Sequence, residues 1–456
     1  MSGRNGIAVL LACVGTLSGL LYTLNFRLAP LFDRLGLIAR EGDPRSAYLP
    51  LYFSLFVLYG VASAAVLRKR HGASCLGFIV GFAALFRAAL LFAPLVLSDD
   101  LYRYIWDGRV QWAGINPYLY PPSAPELAAL RDEHIYPRIN RPESPTIYPP
   151  GAQMLFAAIA ALFPDSITGV RGIMILFDLG TIVLIIRLLK KKGIDPDRVI
   201  LYAWSPLVMF ELAGSGHLEA AMLPFILLAL LSRMDGRSFL AGTALGTATL
   251  IKLYPAALFP ALYRRGDRVF PLVFAVTILA GYLPYLIGAG GKVLGFLPGY
   301  FAAAEDFNVG LRDALAFLLG PFTASARPGA ILLVTILLGG VALTLARRGN
   351  EGDVLWRPYL MVSAYLLLLP TSLHPWYVIW ILPFLCVFPT WGWLYLSGAV
   401  AFSYMKYLLE PEVLPLGIRL GEFVPLVVLL ALQAARHRRA GREASRGITP
   451  MAETSR

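Results

Sequence analysis

Apolar runs of about membrane-spanning length alternate along the chain with short polar breaks. A helix needs about 20 apolar residues to cross a bilayer. Runs of that kind cover 6–24, 48–67, 74–97, 167–189, 198–213, 217–232, 239–262, 269–289, 329–346, 356–373, 375–390, 391–409 and 413–435. Most are apolar on every side, so helical periodicity says little about which face is buried. The pattern predicts an all-α polytopic membrane protein, a bundle of about 12–14 transmembrane helices. No small-residue cleavage site follows the first run, only Tyr22-Thr-Leu-Asn-Phe-Arg27. It therefore reads as a span and not as a cleaved signal.

Residues 98–150 break the pattern. They hold nine of the 33 prolines, six of the 22 tyrosines and two tryptophans. A connection this long is functional or disordered, and its aromatic content argues for order. We expect an ordered outer loop with short surface helices, packed on one transmembrane domain that covers residues 1–435. A second outer loop is expected at 290–327 and a basic cytoplasmic tail at 436–456.

Charge gives the topology. Basic groups cluster at the ends of apolar runs: Arg68-Lys69-Arg70, Lys190 to Lys192, Arg264-Arg265, Arg347-Arg348 and Arg436 to Arg446. That is the positive-inside pattern. Gly151 to Pro164 is 14 residues, short for a span. If it only dips into the bilayer, Lys190 to Lys192 return inside. The run 239–262 carries Lys252 and Pro255 near its middle, and proline breaks a helix there. Read as a hairpin, it puts Arg233 to Arg237 and Arg264 to Arg268 on one side. Both corrections give 12 spans with every basic cluster inside; without them there are 14, with Lys190 to Lys192 outside. Charge bias favours the first.

Composition agrees with a membrane protein. Of 456 residues, 57% are hydrophobic and 15% charged, and the formal charge is +12. A soluble domain carries about 25% charged residues. The basic excess is accounted for by topology and by contact with anionic membrane lipid, so no nucleic-acid partner is expected. Cys13, Cys75 and Cys386 all lie in apolar runs and read as small buried hydrophobes.

The most informative string is Ser98-Asp99-Asp100-Leu-Tyr102-Arg103-Tyr104-Ile-Trp106-Asp107-Gly108-Arg109. Its adjacent carboxylates follow directly on an apolar run and sit at the membrane boundary. One could serve as general base on a sugar hydroxyl. The pair could hold a divalent cation, or Asp99 and Asp100 could simply open a helix. Arg103 is able to grip a phosphate through two N–H groups. Gly114-Ile-Asn116-Pro117-Tyr118 and Thr146-Ile-Tyr148-Pro149-Pro150-Gly151-Ala-Gln153 are rigid turns that shape the loop. His217 and Glu219 open an apolar run. Lys252 lies in the middle of another, where a charge needs a partner. That partner is a phosphate or an ion pair with Glu219 or Glu211. Arg87 and Asp178, both mid-span, read as a structural pair. His374-Pro375-Trp376-Tyr377 marks an outer turn. No zinc spacing, Walker loop, dinucleotide fingerprint or nucleophile elbow is present.

The string SDDLYRYIWDGRVQWAGINPYLYPP, followed by TIYPPGAQ, resembles the outer-loop signature of the GT-C superfamily of integral-membrane glycosyltransferases. More narrowly it is similar to bacterial glycosyltransferase family 87-like proteins and polyprenyl-phosphate-mannose-dependent mannosyltransferases, with a distant likeness to GPI mannosyltransferase I. GSGHLEA, LIKLYP and HPWYVIWILPF fit the same group in order, so the resemblance runs from about 98 to 385. It implies a multi-helix fold and an active site facing the periplasm or outside of a bacterial inner (plasma) membrane. It also implies a polyprenyl-phosphate sugar donor, mannose favoured, an inverting transfer, and a glycan or lipid acceptor. The catalytic acid maps onto Asp99 or Asp100. Arg103, His217, Glu219, Lys252 and His374 carry over as pocket residues, and Asp107, Arg109, Asn116, Tyr148, Gln153 and Trp376 are expected to join them in substrate binding. The adjacency of the acids departs from the spaced pair of the superfamily and leaves a divalent cation open. The competing class is a transporter or flippase of lipid-linked sugars. Such proteins place polar groups near midplane in two symmetric halves, and no repeat joins the halves here.

Overall fold

The computed structural model describes residues 2–37, 43–69, 74–302, 307–348, 354–368, 372–410 and 412–445. Helices form where the apolar runs lie: Ser2–Leu24, Tyr48–Arg68, Leu76–Leu91, Ile167–Lys191, Glu219–Met234, Ser238–Ile251, Val269–Ala289, Ala326–Arg347, Trp356–Leu367, Trp391–Ala399 and Leu416–Ser445. No strand occurs among the described residues. The last helix carries the chain into the basic stretch, while residues 446–456 and Arg70 lie outside the described residues.

Six segments of the described chain are long and apolar enough to cross a membrane, and the pair Pro206–Gly214 with Glu219–Met234, bent by 117°, makes a seventh. The other apolar runs are helical but short or broken, among them Leu76–Leu91, Pro150–Leu162, Ser238–Ile251 and Pro375–Leu385. This is why length supports fewer crossings than the 12–14 expected from hydropathy. The bent pair has a visible cause. Met209–Gly214 is a wide π-helical turn, a form that recurs at functional sites. Gly216 then adopts φ +72°, where a Cβ would also come within 2.9 Å of Leu101.

The run 239–262 is a hairpin, as its Lys and Pro predict. Helix Ser238–Ile251 has 14 residues, about 21 Å at 1.5 Å per residue, against a hydrocarbon core of about 30 Å. Lys252 is extended, with φ −141° and ψ 144°. The chain then returns: Ser238 Oγ donates to Asp267 at 2.6 Å and Arg233 Nε donates to the Leu262 carbonyl at 2.9 Å. Packing register says the same. Gly242 meets Phe270, Gly246 meets Thr277, and Leu250 meets Gly281. Ser238–Ile251 and Val269–Ala289 thus run parallel, which requires that residues 252–268 come back to the starting end.

The same bookkeeping of bonds collects the basic clusters at one end. Lys69 pairs with Asp195 and Asp197, Lys191 with Asp235, and Arg233 with Asp267. Arg357 donates to the Leu345 and Tyr263 carbonyls. Lys190 to Lys192 therefore share an end with Arg264, as the dipping reading of 151–164 requires. Helix Pro150–Leu162 instead lies against helix Asp100–Trp112, with Gly108 on Phe156 and Gln111 on Gln153. Asp100–Trp112 is buried along most of its length, deeper than the surface helix expected. Mid-bundle, Arg87 Nε meets Asp178 at 2.7 Å, and Tyr202 donates to the same carboxylate at 2.5 Å. The expected structural pair is present and fully buried, which is how a bundle interior tolerates charge.

One labelling experiment checks this geometry. In a cysteine-free background, single cysteines at Lys191 and Arg265 should react with an impermeant thiol reagent from the same side of sealed vesicles. A cysteine at Glu143 should react from the other. Labelling of Lys191→Cys and Glu143→Cys from one side contradicts the fold.

Candidate active site

At the end opposite the basic clusters a cavity of about 610 Å³ opens. Four separate stretches line it: residues 96–100, parts of 140–149, 252–254, and parts of 374–380, joined by Tyr404 and Tyr407. Asp99, Asp100, Tyr148, Lys252, His374 and Trp376, spread over more than 250 positions of sequence, thus face one space.

The acid pair divides its work. Asp99 occupies the N-cap position of helix Asp100–Trp112, but its side chain makes no capping hydrogen bond. It is solvent-exposed at the cavity mouth. Partial desolvation there, with Asp100 next to it, holds its carboxyl above the ordinary carboxylate range. Asp100 is anchored instead. It accepts from Asn140 Nδ2 at 2.9 Å, and its other oxygen lies 3.8 Å from His217 Nε2. His217 is buried and stacks on Trp376 with centroids 4.1 Å apart. Nε2 of the ring is 3.1 Å from Ser98 Oγ, and Nδ1 is 3.1 Å from the Glu211 carboxylate. Tyr404 donates to Glu211 at 3.0 Å. The π-helical turn supplies Glu211, so the broken helix sets an imidazole between two carboxylates directly behind the cavity wall.

Lys252 sits at the hairpin tip. Its Nζ lies 2.5 Å from Glu219 Oε1 and 5.5 Å from the Tyr377 ring. Of the two ion-pair partners considered, Glu219 is the one found. Glu219 is fully buried, whereas the Lys252 side chain keeps 16% exposure on the cavity side. Lysine has three N–H donors, so the pair leaves donors for a ligand. Arg45 and Arg141 add cationic groups to the lining. Arg45 is braced through Asp43 at 2.7 Å, and Arg141 lies over Phe296. His374 stacks between Phe307 and Trp376. Burial, helped by Lys252 nearby, pushes its imidazole down to about 3, so it is a neutral group there.

Seven of the sequence-derived candidates stand outside the cavity lining: His217 and Glu219 lie behind its wall, and the other five hold the loop together. Arg103 Nε meets Asp107 at 2.8 Å, and Nη1 donates to the Ser144 carbonyl. Asp107 also accepts from Thr146 at 2.6 Å and Gln153 at 2.9 Å. Asn116 donates to the Tyr285 carbonyl at 3.0 Å. Arg109 bridges Asp132 and Asp165. Burial pushes the Asp132 carboxyl up, but the Ile135 amide and Arg109 outweigh it and hold it at about 2. Arg45, Asn140, Arg141 and Tyr404 are among the lining or supporting residues that escaped the sequence reading. Each lies far along the chain from the acid pair or inside an unremarkable string. Among the described residues no group of three or more His, Cys, Asp or Glu side chains comes together to hold a metal. A divalent cation would therefore rest on Asp99 and Asp100 together with ligand oxygens.

A family model described as the N-terminal domain of alpha-(1->6)-mannopyranosyltransferases matches residues 8–263. The chain belongs to this family. It is also 24% identical over 383 residues to alpha-(1->6)-mannopyranosyltransferase B of Corynebacterium glutamicum, a match covering 71% of this chain. The chain spans 60% of that relative's length. The family match takes in Arg45, both acids, Glu211, His217, Glu219 and Lys252. His374, Trp376 and Tyr404 complete the cavity from beyond it.

The unequal settings of the two acids give a prediction. For a general base at Asp99 in a glycosyl transfer, Asp99→Asn should lower the rate by about 10²–10⁴ while leaving substrate binding intact, and Asp100→Asn should be milder. A base must be deprotonated, and the Asp99 carboxyl lies above the ordinary range. The acid limb of kcat/KM should therefore set in at a higher pH than an ordinary carboxylate would give. Near wild-type rates for Asp99→Asn would move the base elsewhere.

Proposed function

We propose that this chain is a membrane mannosyltransferase that moves the sugar from a polyprenyl-phosphate donor to a hydroxyl of a glycan or lipid acceptor. The single observation that carries the reading is the meeting, in one cavity, of a carboxylate with no hydrogen-bond partner among the described residues and a cluster of cations. The acceptor oxygen attacks the anomeric carbon and its proton passes to Asp99. The bond from that carbon to the phosphate oxygen breaks, and its electron pair stays on the phosphate. Lys252, Arg45 and Arg141 face the growing negative charge, which is where fixed donors help most. A single displacement inverts the anomeric centre. Asp100, held by Asn140 and His217, fixes the position of the loop that presents Asp99. The aromatic lining of the cavity suits a sugar, and the bundle's apolar flank suits an isoprenoid tail. Asp99 and Asp100 are the residues that would hold a divalent cation, which would supply positive charge against the leaving phosphate. The basic clusters lie at the far end, and the positive-inside rule supports a reading in which the cavity faces the periplasm or exterior.

The test is transfer by purified protein in nanodiscs, with radiolabelled polyprenyl-phosphate mannose and a mannoside acceptor, with and without a chelator. The expected outcome is a lengthened, inverted product from the lipid-linked donor and none from a nucleotide-linked one. Transfer from the nucleotide sugar alone, or translocation of the lipid without transfer, would overturn the proposal.

A further inference from the structure

A second concavity, of about 320 Å³, lies at the basic end, remote from the candidate active site. Three helices form it: Ile167–Lys191, Glu219–Met234 and Ser238–Ile251. Arg187, Lys190, Lys191 and Arg237 line its polar part, and Leu184, Leu228, Leu231 and Leu240 line its apolar part. Asp235 is the one carboxylate in that lining, and it pairs with Lys191. Four cations against one anion leave a net positive charge facing a partly apolar hollow.

The surroundings say what kind of anion fits. On helix Ile167–Lys191, Leu176 and Val183 are exposed hydrophobics at 64% and 56%. They are seven residues apart, two helical turns on one face. Four residues further on the same face is Arg187, followed by Lys190 and Lys191. Phe239, 66% exposed, flanks Arg237 from the neighbouring helix. An outward apolar stripe thus ends in a basic cradle, the same order in which a bilayer passes from acyl chains to head groups. A free phosphate would use the cradle and ignore the stripe.

We infer that this groove is a binding site for an anionic phospholipid, its phosphate held by Arg187, Lys190 and Arg237 and its acyl chains lying on Leu176 and Val183. Basic pockets between helices bind such head groups in membrane proteins, and guanidinium groups grip phosphate through paired N–H bonds. The inference does not depend on the transferase reading, because the site is at the other end of the bundle.

Native mass spectrometry of the full chain, released from vesicles containing phosphatidylglycerol and phosphatidylcholine, tests it. The wild type should retain phosphatidylglycerol in preference. Arg187→Gln/Lys190→Gln/Arg237→Gln should lose that preference, by roughly fivefold per neutralised charge. Arg265→Gln/Arg268→Gln/Arg347→Gln removes equal charge at the same end but outside the groove, and should keep it. Arg187→Lys/Arg237→Lys controls for folding and should also retain the lipid. Equal loss in both neutralised variants, or no preference in the wild type, overturns the site. Displacement of the lipid by millimolar inorganic phosphate would assign the groove to a soluble anion and overturn it as well.

Discussion

The architecture depends on a helix that is too short to cross. Ser238–Ile251 supplies about 21 Å where about 30 Å is needed. It stops at Lys252, a residue whose charge would be expensive in hydrocarbon without a partner. Glu219, at the break of a second bent helix, meets that charge. The pair therefore joins two interrupted helices at their tips. Once the chain has turned there, Arg264 and Asp267 must return to the end they left, and everything polar at the tips must face the other way. Non-helical backbone at this depth is tolerated where it lines a cavity, and these tips do so.

Much of this could be read from the residues. Long apolar runs fix their own helices because every backbone group must be satisfied internally in lipid. A Lys and a Pro in mid-run announced the hairpin, and charge bias grouped Lys190 to Lys192 with Arg233 and Arg264, whose end Lys191 shares. Arg87 and Asp178 found each other because buried opposite charges must. The polar string after residue 97 did mark the cavity. Its individual roles could not be read. Arg103, Asp107 and Gln153 have the chemistry of substrate binders, yet Asp107 accepts from both Thr146 and Gln153 and so spends them all on the loop. Whether a side chain faces a neighbour or a cavity is decided by tertiary packing, which spacing does not encode. For the same reason Arg45 and Tyr404, at opposite ends of the chain, gave no signal.

The two sites divide the bundle. The cavity draws on residues from positions 45 to 407, so it exists only when the whole bundle is assembled. The groove at the basic end draws on three neighbouring helices. Helix Ile167–Lys191 connects them. Near its start Arg171 holds the carbonyls of Leu91 and Ala93, just before the acid pair, and its last turns carry the basic cradle. One rod thus fixes the distance between the cavity and the basic cradle.

In the proposed reaction Lys252, while paired to Glu219, also faces the donor phosphate. The most direct test is equilibrium binding of a polyprenyl-phosphate sugar to the double variant Lys252→Met/Glu219→Gln. This variant removes the ammonium without leaving Glu219 as a buried unpaired charge. A charge-assisted hydrogen bond is worth about 1.5–3 kcal/mol, so the account predicts a rise in Kd of about tenfold to hundredfold, in a protein that still inserts and keeps its melting temperature. An unchanged Kd in a folded double variant would contradict the account and leave Lys252 as a strut between two broken helices.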